Sequence, residues 1–115
     1  MLIRVDPGSP VPLFEQLAAA VRGEVLRGAL TPGERLPSAR DLAASLEINV
    51  HTVLRAYQLL RDEGLVDLRR GRGAVVTDRA HEYADFAGAL PALVAVAKRL
   101  NLSPAALAAL IREAY

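Results

Sequence analysis

Apolar residues recur at helical spacing in the first part of the chain. The stretch from Leu13 to Arg27 predicts an amphipathic helix, because one face carries Phe14, Leu17, Ala18, Val21 and Val25. The prolines at positions 7, 10 and 12 exclude a helix before it. The alternation within Leu2–Val5 is typical of a short edge strand. Gly28 ends the first helix, and the turn signal Thr31-Pro32-Gly33-Glu34 follows.

Two capping residues predict two further helices in close succession. Ser38 is an N-cap with Asp41 three residues later, which predicts a short helix from Ala39 to Leu46. Asn49 is a second N-cap, and it predicts a helix over residues 50–63 that ends at Gly64. Only three residues separate the two helices, so they must cross steeply. That is the geometry of a helix-turn-helix.

The apolar period shortens after the third helix. Leu65–Leu68 and Ala74–Thr77 are strand-like runs, and the connection between them contains two glycines. This pattern predicts a β-hairpin. A hairpin directly after a helix-turn-helix is a wing. We therefore predict a mainly α fold with a small β-hairpin wing, a winged helix-turn-helix DNA-binding domain at residues 1–77.

Residues 78–115 return to helical spacing. Pro91 either kinks one long helix or separates two shorter ones, and Ser103-Pro104 begins the last helix. Helices one to three can close their own core, so a further apolar stripe needs another surface, which a symmetric dimer supplies. We predict a C-terminal helical dimerisation tail whose contact residues are Tyr83, Phe86, Leu90, Leu93, Val94, Leu100, Leu107, Leu110 and Ile111.

Composition narrows the class of protein. The 115 residues are 52% hydrophobic but only 4% aromatic, which favours one aliphatic core. The chain has no cysteine and two histidines, and it lacks the common hydrolase, protease and nucleotide-binding motifs. We therefore expect no enzyme activity, no catalytic residue, no cofactor and no metal. No apolar run reaches the roughly 18 residues that span a membrane, and no signal peptide is present, so a cytoplasmic protein without a membrane partner is expected.

The net charge of +1 gives no sign of nucleic acid, but the local charge does. Arg69, Arg70 and Arg72 occupy three of four consecutive wing positions. In a winged helix-turn-helix the third helix enters the major groove of double-stranded DNA, and its first turn carries short polar side chains that reach bases and phosphates. The residues predicted to bind DNA are Ser38, Arg40, Asn49, Val50, His51, Thr52, Arg55, Arg69, Arg70 and Arg72.

Each of these residues also has an ordinary structural interpretation. Arg40 can pair with Asp41, and Arg55 can pair with Asp62 two turns along the same helix. His51 and the wing arginines can be solvated surface residues, and Asn49 can act as a cap alone. These alternatives stay open on the sequence.

Residues 10–76 resemble the DNA-binding domain of the GntR family of bacterial transcription regulators. The matching pieces are PLFEQL, GALTPGERLPSARDLAASL, HTVLRAYQLLRDEGLV and RRGRGAVV. The short tail resembles the YtrA-like subfamily, in which about two helices mediate dimerisation and a large effector domain is absent. The resemblance covers about two-thirds of the chain.

The resemblance implies DNA contacts at particular positions. They are Arg40 of the PSxR motif, Asn49–Thr52 at the start of the recognition helix, Arg55 of the TVxRA motif, and Arg70 and Gly71 at the wing tip with Arg72 adjacent. Many YtrA-like proteins read Asn-Pro-Asn-Thr at 49–52, and some relatives carry a basic residue at Leu54. The operator sequence therefore cannot be copied from relatives.

Together these features predict a sequence-specific DNA-binding transcription regulator, most simply a repressor that binds a palindromic operator as a homodimer. Two alternatives stay open. One is a regulator that responds to an unknown small-molecule effector through a pocket at the dimer interface. The other is a winged helix that binds protein and does not contact DNA.

Overall fold

The computed structural model describes residues 3–71 and 73–115, and these fold as two compact units. The first unit ends at Ala84 and the second spans Asp85–Tyr115. The helices are α1 (Leu13–Leu26), α2 (Ala39–Leu46), α3 (Val50–Asp62), α4 (Tyr83–Arg99) and α5 (Pro104–Ala114), with a 3-10 helix at Asp78–Glu82. The strands are β1 (Val66–Arg69) and β2 (Gly73–Val76). The predicted mainly α fold with a hairpin wing is confirmed, and the division of function at residue 77 stays a prediction.

The predicted caps hold the ends of α2 and α3. The Ser38 hydroxyl accepts a hydrogen bond from the Asp41 amide at 3.0 Å, and the Asn49 side-chain oxygen accepts one from the His51 amide at 2.8 Å. Between the helices, Glu47 adopts a left-handed conformation with φ 55°, which reverses the chain within the three predicted turn residues.

The core of the first unit is aliphatic and lies under α3. Val53, Ala56 and Leu60 are fully buried on one face of α3, and Leu17 and Val21 of α1 are buried with them. A paired guanidinium and carboxylate also join these helices: Nε and Nη2 of Arg22 donate to the Glu63 carboxylate at 2.9 and 2.8 Å. The recognition helix is thus fixed against α1 along its length.

The wing is an antiparallel hairpin in the register Val66↔Val76, Asp67↔Val75, Leu68↔Ala74 and Arg69↔Gly73. A third segment, which the sequence did not indicate, pairs with β2. Arg35 forms a β-bridge with Val75, and the Leu36 amide donates to the Ala74 carbonyl at 2.9 Å. The wing is therefore tied to the segment that leads into α2.

The predicted edge strand over Leu2–Val5 is wrong for its described part. Leu2 lies outside the described residues, and residues 3–5 are not in a strand. A strand needs a hydrogen-bonded neighbour, and within residues 3–71 and 73–115 the only sheet contains β1 and β2. The apolar side chains of Ile3 and Val5 pack against the core instead.

The second unit consists of α5 and the part of α4 from Asp85 onward. Pro91 lies inside α4, so it does not separate two helices. Ala97 is buried, and its carbonyl accepts a hydrogen bond from the Leu102 amide at 2.9 Å. In the described part of the chain no single helix is long and apolar enough to cross a membrane; only the pair 78–99 and 104–114, bent by 120°, has that combined length and composition.

Candidate nucleic-acid interface

The start of α2 presents a free cation. Ser38 and Arg40 are both exposed, and the Ser38 hydroxyl is occupied by the helix cap. Among the described residues no ion pair joins Arg40 to Asp41 or to another carboxylate. The first turn of a helix also carries unpaired backbone amides that attract anions. This corner therefore has the chemistry of a phosphate contact.

The first turn of α3 divides into outward and inward side chains. Asn49 and His51 are exposed, whereas Val50 and Thr52 are half-buried and Val50 packs against the core. Because the Asn49 oxygen accepts from the His51 amide, only its NH2 group remains to bind another partner. Asn49 and His51 are thus the polar groups of this turn that face outward.

Arg55 stacks on an aromatic ring of α1. Its guanidinium carbon lies 3.8 Å from the centre of the Phe14 ring, which is cation–π geometry. The alternative partner Asp62 instead accepts a hydrogen bond from Arg61 at 3.3 Å. Stacking covers one face of the guanidinium and leaves its N–H edge as a donor. The sequence did not indicate this contact, because Phe14 is 41 positions away and belongs to another helix.

The wing carries the remaining predicted cations. Arg69 pairs with Asp67 at 3.2 Å, and both side chains are about half exposed. Arg70 is exposed and has no ion pair with a described residue. Gly71 turns the chain with φ 80°, a conformation that L side chains rarely adopt. Arg72 lies outside the described residues.

A groove of about 340 Å³ lies between the start of α2, α3 and the wing. It brings together three of the predicted DNA-binding residues, Ser38, Arg69 and Arg70. Its lining is Ser38, Ala39, Leu54, Tyr57, Leu68, Arg69, Arg70, Gly73 and Ala74. Asn49, His51 and Arg55 do not line it, and Arg55 faces α1 instead.

Sequence reasoning missed two apolar residues of this groove. Leu54 and Leu68 are 38% and 37% exposed, although both are leucines of the first unit. The available signal was periodicity, because Leu54 falls off the buried stripe of Val53, Ala56, Tyr57 and Leu60 on α3.

Two tyrosines of the first unit have perturbed acidity. Burial raises the pKa of Tyr57 to about 12, and its hydroxyl donates to the Pro37 carbonyl at 2.7 Å. Burial also raises the pKa of Tyr83, and the Glu63 carboxylate adds to this effect. Tyr83 was predicted as a dimerisation residue, and the structure places it against the core of the first unit.

The other predicted dimerisation residues lie in the second unit. Phe86, Leu90, Leu93, Leu100, Leu110 and Ile111 are exposed, and Val94 and Leu107 are half-buried. An apolar groove of about 270 Å³ runs between α4 and α5. Within the described residues no cluster of three or more histidines and carboxylates is arranged to hold a metal ion.

Comparison with known proteins assigns a family. The model of the family "Bacterial regulatory proteins, gntR family" matches residues 13–76, from α1 to the end of the wing. The chain is 38% identical to the HTH-type transcriptional repressor YtrA of Bacillus subtilis over 79 residues, which are 69% of this chain and 61% of that protein. It is 40% identical to the HTH-type transcriptional regulator Rv1152 of Mycobacterium tuberculosis over 101 residues, 88% of this chain and 84% of that protein.

Solved structures give the same assignment. YtrA from Sulfolobus acidocaldarius, a GntR-family transcription factor, superposes with a TM-score of 0.63 at 34% identity and covers 79% of this chain and 99% of its own. The DNA-binding domain of AraR in complex with operator ORX1 has the same fold, with a TM-score of 0.58 at 22% identity over 65% of this chain and 93% of its own.

Proposed function

The chain belongs to the gntR family of bacterial regulatory proteins, a family of DNA-binding transcription regulators, and we propose that it represses transcription by binding a palindromic operator as a homodimer. It acts in the cytoplasm, where bacterial promoters lie. The B. subtilis relative is named a repressor, which supports this direction of control. A bound regulator represses most simply by occupying the promoter.

One observation carries the proposal for the surface that binds DNA. The start of α2, the recognition helix α3 and the wing line a single groove, and the exposed cations Arg40 and Arg70 have no ion pair with a described residue. Leaving cations without counter-charges on a near-neutral protein favours a polyanionic partner, which releases its own counterions on binding. Arg40 and Arg70 are therefore proposed as phosphate contacts.

The exposed polar groups at the start of α3 are proposed to read base edges. His51 and Asn49 project from the turn that enters the major groove in this fold. With its oxygen held in the cap, Asn49 acts as a donor, which suits the acceptors N7 and O6 of guanine, N7 of adenine or O4 of thymine. Val50 and Thr52 are more buried, so they contribute less direct readout.

Phe14 is proposed to position Arg55. The ring lies under one face of the guanidinium and restricts the rotamers of a long side chain before DNA arrives. A guanidinium held in this way loses less conformational entropy when its N–H edge binds a phosphate.

The apolar tail is proposed to form the dimer. Six large apolar side chains of the second unit are exposed, namely Phe86, Leu90, Leu93, Leu100, Leu110 and Ile111. An apolar patch of this kind is uncommon on a monomer and typical of an interface. A two-fold dimer carries two recognition helices and binds two half-sites.

Selection of bound sequences from random DNA tests sequence-specific binding. We expect an enriched palindrome whose affinity exceeds that of random DNA by about 10³-fold or more and falls steeply with salt. Equal affinity for selected and random DNA contradicts the proposed function.

Leu110→Asp tests the dimer without disturbing a buried site, because Leu110 is about half exposed. Sedimentation of the full chain should change from dimer to monomer, and operator affinity should approach that for a single half-site. Arg112→Ala, in the same helix, is the matched control and should leave both unchanged. A monomeric wild type at micromolar concentration contradicts the proposed dimer.

A further inference from the structure

The groove between α3 and the wing contains an apolar surface that the contacts proposed above leave unused. Leu54 and Leu68 line it, and more than a third of each side chain is exposed. Neither is needed to close the core, because the inward face of α3 is already formed by Val53, Ala56 and Leu60, which are fully buried. Two exposed leucines facing one groove indicate a partner that covers them.

The position of Leu54 follows from the helix repeat. It lies four residues after Val50 and three after His51, so it projects one turn above the residues that begin the recognition helix. Arg55, the next residue, faces α1 through Phe14, and Leu54 faces the wing. Leu54 is thus an outward residue in the half of α3 that enters the major groove.

The position of Leu68 follows from strand alternation. Val66 and Leu68 point to the same face of β1, and Val66 is buried in the core. Leu68 pairs in register with Ala74, which is buried, so this face extends beyond the core toward the groove. A small residue at position 74 leaves the space that the groove occupies.

The rim of the groove indicates which partner enters. Arg69 and Arg70 line it together with the two leucines. An apolar floor with cationic edges matches the major groove of DNA, where phosphates flank the C5-methyl group of thymine. That methyl is the apolar group among the base edges of the major groove.

We propose that Leu54, supported by Leu68 across the groove, reads the C5-methyl group of a thymine in the operator half-site. The inference rests on the proposed function and adds a base to it. If α3 follows the groove, the rise of about 1.5 Å per residue places Leu54 about 4.5 Å beyond His51. The thymine then lies within about two base pairs of the base that His51 reads, since base pairs are about 3.4 Å apart.

Deoxyuridine tests the contact because it lacks only this methyl group. Each thymine in one half-site of the selected operator is replaced singly, and affinity is measured for the full-length wild type. We expect one replacement to weaken binding about fourfold, the factor for burying one methyl-sized group. Leu54→Ala should show no such loss at that thymine, and Gln58→Ala, one turn further along α3, should keep it.

The outcomes separate the two claims. A half-site without thymine, a uracil scan that stays within twofold in the wild type, or an equal uracil penalty in Leu54→Ala overturns the role of Leu54 alone. Failure to select any sequence overturns the proposed function and this inference with it. The wild-type scan needs no variant, so it remains decisive if Leu54→Ala folds poorly.

Discussion

The hydroxyl of Tyr57 connects the recognition helix to the start of α2, and Tyr57→Phe removes this group alone. The hydroxyl donates to the Pro37 carbonyl at 2.7 Å, and the ring is 3% exposed. Pro37 immediately precedes the α2 cap Ser38. Phenylalanine keeps the ring and its packing, so the variant isolates one hydrogen bond between two parts of the proposed interface.

The magnitude follows from the two partners. A buried hydrogen bond contributes about 0.5–1.5 kcal/mol net. Pro37 is an exposed residue, so water can replace the lost donor at its carbonyl. We therefore expect a loss of about 1 kcal/mol in the free energy of unfolding at pH 8, or roughly 4–8 °C in Tm. Operator affinity should fall by at most about fivefold, the factor that corresponds to 1 kcal/mol.

The pH dependence gives a second, independent readout of the same group. Burial raises the pKa of Tyr57 to about 12 from the model value of 10.0, so the folded state retains the proton that the unfolded state loses. This contribution is fully present below pH 10 and is lost as the pH rises to 12. It amounts to about 2–3 kcal/mol. Phenylalanine does not titrate, so Tyr57→Phe should become the more stable protein near about pH 11.

Urea unfolding at several pH values measures both effects, and the other tyrosines cancel in the difference between the two proteins. Tyr83 also has a raised pKa, and it is present in both. Equal stability of wild type and variant at pH 8, or a stability difference that is the same at pH 8 and pH 11.5, refutes the buried and hydrogen-bonded state of Tyr57.

Three further predictions concern the cap, the wing tip and the phosphate contacts. Asn49→Ala should lower the free energy of unfolding by about 1 kcal/mol through loss of the α3 cap and should also change the selected sequence; an unchanged sequence refutes its readout role. Gly71→Ala should cost about 1–2 kcal/mol from backbone strain alone, because no atom lies within 4 Å of the added methyl, and Gly71→Asn should cost less; equal thermal melts for all three proteins contradict this. Arg70→Ala should weaken all DNA sequences alike and reduce the salt slope by about one per contact, whereas Arg27→Ala, which removes the same charge from a Glu24 pair, should not.

The sequence specified the helix-turn-helix closely because its signals are local. Ser38 and Asn49 satisfy backbone amides within three residues of themselves, so their side chains identify the starts of α2 and α3 without tertiary information. Glycines at 71 and 73 identify the hairpin for the same reason, since both adopt positive φ.

Features that depend on distant partners were not accessible in this way. The bridge of Arg35 to Val75 joins segments 40 positions apart, and its turn signal Thr31–Glu34 indicated only a loop. Stacking of Arg55 on Phe14 likewise depends on how α1 crosses α3. The strand predicted at the N-terminus had the right alternation, but alternation does not supply a neighbouring strand.

The exposure of Leu54 and Leu68 shows a third limit. Leucine at either position is compatible with a core, and only the folded chain shows that both face an open groove. The family resemblance marked position 54 as variable without indicating what leucine does there.

The most direct test of the account is a backbone NMR titration of the full chain with its selected operator. The groove between α2, α3 and the wing is the proposed DNA interface, so the amide signals of residues 38–41, 49–55 and 68–71 should shift on binding. The end of α1 and the turn at 28–32 should shift little. Shifts confined to the end of α1 or to the tail, with the groove unaffected, would contradict the account.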